Sequence, residues 1–87
     1  MKSDLSIEIC SHAREQMAER GASEEEVLMA IHRGEAEPAQ KNRTLYKKNF
    51  QFGKVWRGKE HTIKQVVPVV AQTPVKLVVV TVYVYYF

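Results

Sequence analysis

His12, Lys64, Thr81 and Tyr83 are the residues of this 87-residue chain whose types and spacing are suited to chemistry. His12 stands at the start of an expected helix, where the positive end of the helix dipole favours a neutral imidazole, the form a general base needs. Lys64 is expected opposite Thr81, and Thr62 opposite Tyr83, if Ala71 pairs with Pro74 across a two-residue turn. A base, a cation and two hydroxyls suit RNA cleavage by internal transphosphorylation. There the substrate's own 2′-hydroxyl is the nucleophile, so neither a serine nor a metal is required. In that scheme His12 is the base, Lys64 the electrostatic clamp, and Thr81 and Tyr83 donate to the phosphate. Arg43, Lys47, Lys48 and Arg57 hold the nucleic-acid backbone. The plainer reading stands beside it: a surface histidine in a first turn, and an ordinary solvated sheet face with a cross-strand polar pair. His32 at a helix end and His61 at a strand start are weaker candidates. Cys10 is the sole cysteine and the three histidines lie far apart, so no metal site and no cofactor is expected.

Two helices and several strands must position these residues. Ser11 to Arg20 reads as a helix capped by Ser11 and ended by Gly21, with a thin apolar stripe of Ala13, Met17 and Ala18. Ser23 and Glu26 form a capping box for a second helix, whose buried stripe is Val27, Leu28 and Ile31 and whose stop is Gly34. Residues 1–10 read as an extended lead-in. From Glu35 the texture turns to β, with loop at Pro38 and Lys41-Asn42, a strand from Arg43 to Phe50, and a turn or short strand around Val55 and Trp56. His61 to Val70 is the next strand, with Pro68 expected at an edge or bulge.

The last stretch, Val75 to Phe87, is almost wholly β-branched or aromatic. Strict alternation puts Val78, Val80, Val82 and Val84 on a core face, and Val79, Thr81, Tyr83 and Tyr85 on the other.

Charge divides the chain. Residues 1–40 hold four bases against nine acids, a balance of −5, and residues 41–87 hold nine bases against Glu60, a balance of +8. All eight aromatics lie after residue 45. A basic, aromatic sheet behind an acidic helical half fits polyanion binding, although β propensity and solubilising lysines alone would give a similar split. No apolar run reaches the ~18 residues of a membrane helix, and MKSDLSIEIC lacks the apolar core of a signal peptide. No membrane association is expected, and a lone cysteine fits a reducing cytoplasmic setting.

SHAREQMAERGASEEEV resembles the N-terminal signature of a bacterial family, domain of unknown function 4258: a His-Ala helix, a Met, then Glu-Arg-Gly and a capped second helix. NRTLYKKNF, WRGKEHTIKQVVPVV and VVVTVYVYYF resemble that family's strands, so the likeness spans nearly the whole chain. Ala22 departs from the aliphatic residue expected after the glycine, a change that bears on packing. The family is similar in layout to the metal-independent ribonuclease fold of barnase, colicin ribonucleases and RelE-type toxins. That similarity implies an RNA-directed toxin with a neutralising protein partner, and places His12, Thr81, Tyr83 and Lys64 at positions expected to be active.

The fold expected is α+β in one domain, residues 1–87, with a helical half (1–34) and a sheet half (35–87). Two N-terminal helices pack on one face of a three- to four-stranded antiparallel sheet. The function expected first is a metal-independent endoribonuclease of the toxin type. A non-catalytic RNA- or protein-binding module using the basic face is the alternative. A homodimer paired through the Tyr85, Tyr86 and Phe87 end is the third reading, against a monomer.

Overall fold

The structure is a computed structural model that describes residues 6–87. Its elements run β1 (Ser6–Ile9), α1 (Ser11–Arg20), α2 (Glu24–Arg33), β2 (Glu35–Ala39), a 3₁₀ turn (Gln40–Asn42), β3 (Arg43–Trp56), β4 (Lys59–Gln72) and β5 (Lys76–Tyr86). The α+β class holds, but the sheet is mixed and has five strands in the order β1-β5-β4-β3-β2. The extra members are β2 and β1, and β1 precedes the helices and pairs parallel to β5. Of the lead-in expected over residues 1–10, residues 1–5 lie outside the described residues, and the remainder supplies β1.

Local chemistry explains both helices. Cys10, not Ser11, caps α1: its Sγ accepts from the Ala13 amide at 3.5 Å, so His12 occupies the second helical position. Gly21 ends α1 with φ 83°, a left-handed backbone that disfavours a β-carbon. The capping box on α2 is complete, with Ser23 Oγ accepting from the Glu26 amide at 3.1 Å and Glu26 Oε1 accepting from the Ser23 amide at 3.0 Å. Gly34 passes close to β3, and a β-carbon there would collide with the carbonyl oxygens of Ala30 and Lys47. Val27, Ala30 and Ile31 are the buried residues of α2, while Leu28 is only half-buried.

The long strands join through tight turns. Arg57 and Gly58, both at positive φ, form the two-residue turn between β3 and β4, since Trp56 pairs with Lys59. Pro74 and Val75 form the turn before β5: the Thr73 amide donates to the Lys76 carbonyl at 2.9 Å, and the Thr73 hydroxyl oxygen accepts from the Val75 and Lys76 amides. The turn therefore lies further along the chain than an Ala71–Pro74 pairing requires. Gln72 faces Leu77, Ala71 faces Val78 and Val70 faces Val79.

After Val79 the register slips by one, with Val69 facing Thr81 and Lys64 facing Tyr86. Val80 is the extra residue, a β-bulge that reverses the parity of everything beyond it. Leu77 and Val79 before the bulge, with Val82 and Val84 after it, all face the helices. Strict alternation through Val78 and Val80 is overturned. Pro68 lies in the central strand rather than at an edge, next to the Val69/Val70 slip, and the β3–β4 ladder breaks beside it between Leu45 and Lys48. The core joins Ala13 and Met17 of α1 and Val27 and Ile31 of α2 to Tyr46, Val66, Val70, Leu77, Val79 and Val82 of the sheet.

Candidate nucleic-acid interface

The sheet has two faces of different chemistry. On the helical side, Lys64 is buried at 7 % exposure. Its Nζ lies 2.8 Å from Glu26 Oε1 and donates to the Gly21 carbonyl at 2.5 Å, with the Phe52 ring 5.6 Å away. Tyr86 is the neighbouring post. Its hydroxyl donates to the Arg20 carbonyl at 2.6 Å, and Trp56 stacks on its ring at 4.8 Å between centroids. Burial pushes the Tyr86 phenol above its ordinary value, the Glu26 carboxylate adds to the rise, and the Arg57 guanidinium opposes it. Among the described residues no buried side-chain nitrogen or oxygen lacks a partner. These groups fasten the α1–α2 turn to the sheet.

Among the described residues both helices pack on that side, and the opposite face carries none. Tyr83 and Tyr85 stand there, 43 % and 48 % exposed, with ring centroids 6.4 Å apart and planes within 19°. Two concavities meet at Tyr83. One, of about 460 Å³, has Leu45, Val67, Gln65, Lys47, Tyr85 and Phe87 around it. The other, of about 360 Å³, gathers Thr81, Arg43, Lys41, Gln40, Ala39, Leu45 and Val69. Gln65 donates to Asn49 Oδ1 at 3.0 Å across the strands, Lys47 pairs with Glu37 at 3.0 Å, and the Arg20 guanidinium lies 5.6 Å from the Tyr83 ring. The arrangement offers π surfaces, an aliphatic floor, hydroxyl and amide donors, and cations at the rim.

The residues singled out in the sequence divide between the two sides. Thr81, Tyr83, Arg43 and Lys47 share the open face. Lys64 does not face Thr81: the later turn and the Val80 bulge together put it opposite Tyr86. Thr62 is not opposite Tyr83 either: Tyr83 faces Val67, and the Thr62 amide donates to the Phe87 carbonyl. His12 is exposed on the first turn of α1. Lys64 is tied to the turn after α1, nine residues beyond His12, a separation of ~13 Å along the helix. Lys64 therefore stands apart from His12 and lies on the other side of the sheet from Thr81 and Tyr83. Lys48 lies over the Phe50 ring at 5.4 Å, and Arg57 donates to the Glu19 carbonyl at 2.8 Å beside the end of α1. Tyr86, expected at an exposed end with Tyr85 and Phe87, is turned to the helical side.

Sequence reasoning passed over Arg20, Lys41 and Gln65. Arg20 sits on a helix whose thin apolar stripe gives no sign that its basic edge meets the sheet. Among the described residues no three His, Cys, Asp or Glu side chains converge as a metal site would require. Among the described residues no helix is long and apolar enough to cross a membrane.

Residues 9–84 match the family described as a domain of unknown function, DUF4258. The chain belongs to the DUF4258 family. No curated protein and no solved structure matches it. The match covers both helices and β3 and β4, and it ends within β5 just beyond Tyr83, so this DUF4258 chain carries most of the open face inside the shared region.

Proposed function

We propose that the open sheet face of this DUF4258 domain binds single-stranded RNA as a non-catalytic module. The observation that carries this reading is the stacked, exposed Tyr83–Tyr85 pair with Arg43 and Lys47 beside it. Unpaired bases stack on aromatic side chains, while the backbone phosphates are met by basic side chains. Duplex bases are already stacked, so they gain nothing from that platform. The +8 balance of residues 41–87 supplies the field that draws in a polyanion.

A metal-independent endoribonuclease of the toxin type is the second reading, favoured by Thr81, Tyr83, Lys41 and Arg43 sharing one concavity. Cleavage there would use the substrate's 2′-hydroxyl, with Tyr83 and the cations acting on the phosphate. His12 lies exposed on the first turn of α1. A neutralising protein partner would then cover the same face.

Fluorescence anisotropy with a 5′-labelled decauridylate in EDTA tests the first reading. Tyr83→Ala should weaken binding by about 1–3 kcal/mol, the value of one base stacked on an aromatic ring. A self-complementary duplex of equal charge should bind less tightly than the single strand. Equal affinity for both, or an unchanged affinity in Tyr83→Ala, overturns the proposal. Products ending in 2′,3′-cyclic phosphate, lost in Thr81→Val, would replace it with the second reading.

A further inference from the structure

We propose that the outer edge of β5 holds a phosphate subsite, built by the Arg20 and Arg57 guanidinium groups and the main-chain amide of Val84. It takes the backbone of an RNA strand that passes over Tyr83 and off the open face. The inference rests on the reading of that face as an RNA site.

The hydrogen-bond parity of β5 exposes the amide. Phe87 and Ile63 exchange both main-chain hydrogen bonds, at 2.9 and 3.1 Å. Residues 85, 83 and 81 therefore bond to β4, and residues 82, 84 and 86 direct their N–H and C=O groups to the opposite edge. β1 covers that edge only from Lys76 to Val79. Beyond it α1 takes over with side chains. The Cys10 thiol meets the Val80 carbonyl at 3.7 Å, Gln16 Oε1 accepts from the Val82 amide at 2.9 Å, and Arg20 donates to the Val82 carbonyl at 2.7 Å. α1 ends at Arg20, so this covering stops at Val82, and Val84 is the next outward residue.

A recess of about 310 Å³ lies at that point, with Val84 between Arg20 and Arg57 and with Trp56 and Tyr85 as walls. Each guanidinium spends one donor on a main-chain carbonyl, Arg20 on Val82 and Arg57 on Glu19. Each has five N–H donors, so several remain on both. The same bonds, with Arg57 stacked over Trp56 at 5.3 Å, hold the two cations before any ligand arrives, which lowers the ordering cost of binding. Arg57 also holds a left-handed turn position, φ 53°, where Asn, Asp or Gly is the usual choice.

Phosphate is preferred over other anions because of continuity. Tyr83 borders this recess and both concavities of the open face, and Arg20 lies against its ring. A strand stacked on Tyr83 thus reaches the recess without leaving basic surface.

Decauridylate binding, followed by anisotropy across about 50 to about 200 mM salt, separates the two claims. Arg57→Ala should lower the slope of log affinity against log salt by ~0.7, and Arg57→Lys should restore it. Tyr83→Ala should weaken binding with the slope unchanged. The Val84 amide should gain exchange protection in the complex. An unchanged slope in Arg57→Ala, with Tyr83→Ala still weakening binding, removes the subsite and leaves the open face standing. Unchanged binding in both variants removes both. Competition by polyglutamate as strong as by oligouridylate would assign the recess to carboxylates instead.

Discussion

Lys64 is expected to hold the fold and not the ligand, and the Glu26–Lys64 pair allows that to be measured. The Lys64 side chain is 8 % exposed and that of Glu26 23 %, and the 2.8 Å contact between them is supplemented by the bond from Lys64 to Gly21. Breaking a fully buried pair costs about 3–5 kcal/mol. Here the value is lower, because Glu26 reaches water and keeps the Ser23 amide as a donor. Lys64→Met preserves the stem and leaves a carboxylate that can be solvated, so a loss of about 1–2 kcal/mol is expected. Glu26→Gln leaves the more deeply buried ammonium without its counter-charge and should cost more, about 2–3 kcal/mol. The double variant should show a coupling of about 1–2 kcal/mol. For a domain of this size each kcal/mol corresponds to a shift of about 4–8 °C in Tm. Urea denaturation at pH 7 provides the free energies, and anisotropy on the folded variants provides RNA affinity. A Lys64→Met change below about 0.5 kcal/mol, the level of ordinary surface substitutions, would refute the reasoning. So would a reversed order of the two single variants, or a loss of RNA affinity in fully folded Lys64→Met.

Gly21→Ala should destabilise the domain by more than about 2 kcal/mol in the same assay, because a β-carbon at φ 83° meets the Tyr86 hydroxyl and the Trp56 ring as well as the left-handed backbone penalty. Tyr86→Phe should cost about 0.5–1.5 kcal/mol near neutral pH through loss of the bond to the Arg20 carbonyl. It should also remove part of the alkaline decline in stability. The folded phenol is raised above its ordinary value, so above about pH 10 the unfolded chain has released a proton that the folded chain retains, and stability falls as pH rises through the folded value. Denaturation series from about pH 8.5 to about pH 11 test this, and an unchanged slope in Tyr86→Phe would contradict it. Gln16→Ala should accelerate amide exchange at Val82 and cost about 1 kcal/mol, since that amide then loses its acceptor.

Features set by neighbouring residues were legible in the sequence. The Ser23–Glu26 capping box, the glycine stops and the placement of Thr81, Tyr83 and Tyr85 on one face opposite Val82 and Val84 all follow from spacing within a turn or a strand. Features set by distant partners were not. β1 is four residues long with its partner about seventy residues away, and so short a strand carries little pattern of its own. The burial of Lys64 depends on Glu26 of α2, which no local pattern connects to it. Of the residues on the open face, Arg43, Lys47, Thr81 and Tyr83 were singled out in the sequence, whereas Arg20 and Val84 depend on where α1 ends along β5.

The bulge at Val80 explains why the site has the composition it does. The run Val78-Val79-Val80 offers no change of polarity, so nothing in it marks the extra residue. Energetics decide the matter from outside the run. Val66 and Val70 of β4 lie in the core, and Leu77 and Val79 match them at the start of β5. Continued without a slip, that register would set Val66 opposite Tyr83 and Lys64 opposite Tyr85, bringing two phenols under the helices and turning Val82 and Val84 outward. Fully burying a valine in place of exposing it is worth about 1.5–3 kcal/mol, and buried phenols would need hydrogen-bond partners besides. One unpaired residue, with its carbonyl met by the Cys10 thiol, avoids those losses. The tyrosine platform of the open face is therefore a consequence of keeping Val82 and Val84 in the core. The same slip puts Lys64 and Thr81 on opposite sides of the sheet, so the constraint that builds the open face also removes the lysine from the grouping that strict alternation implies.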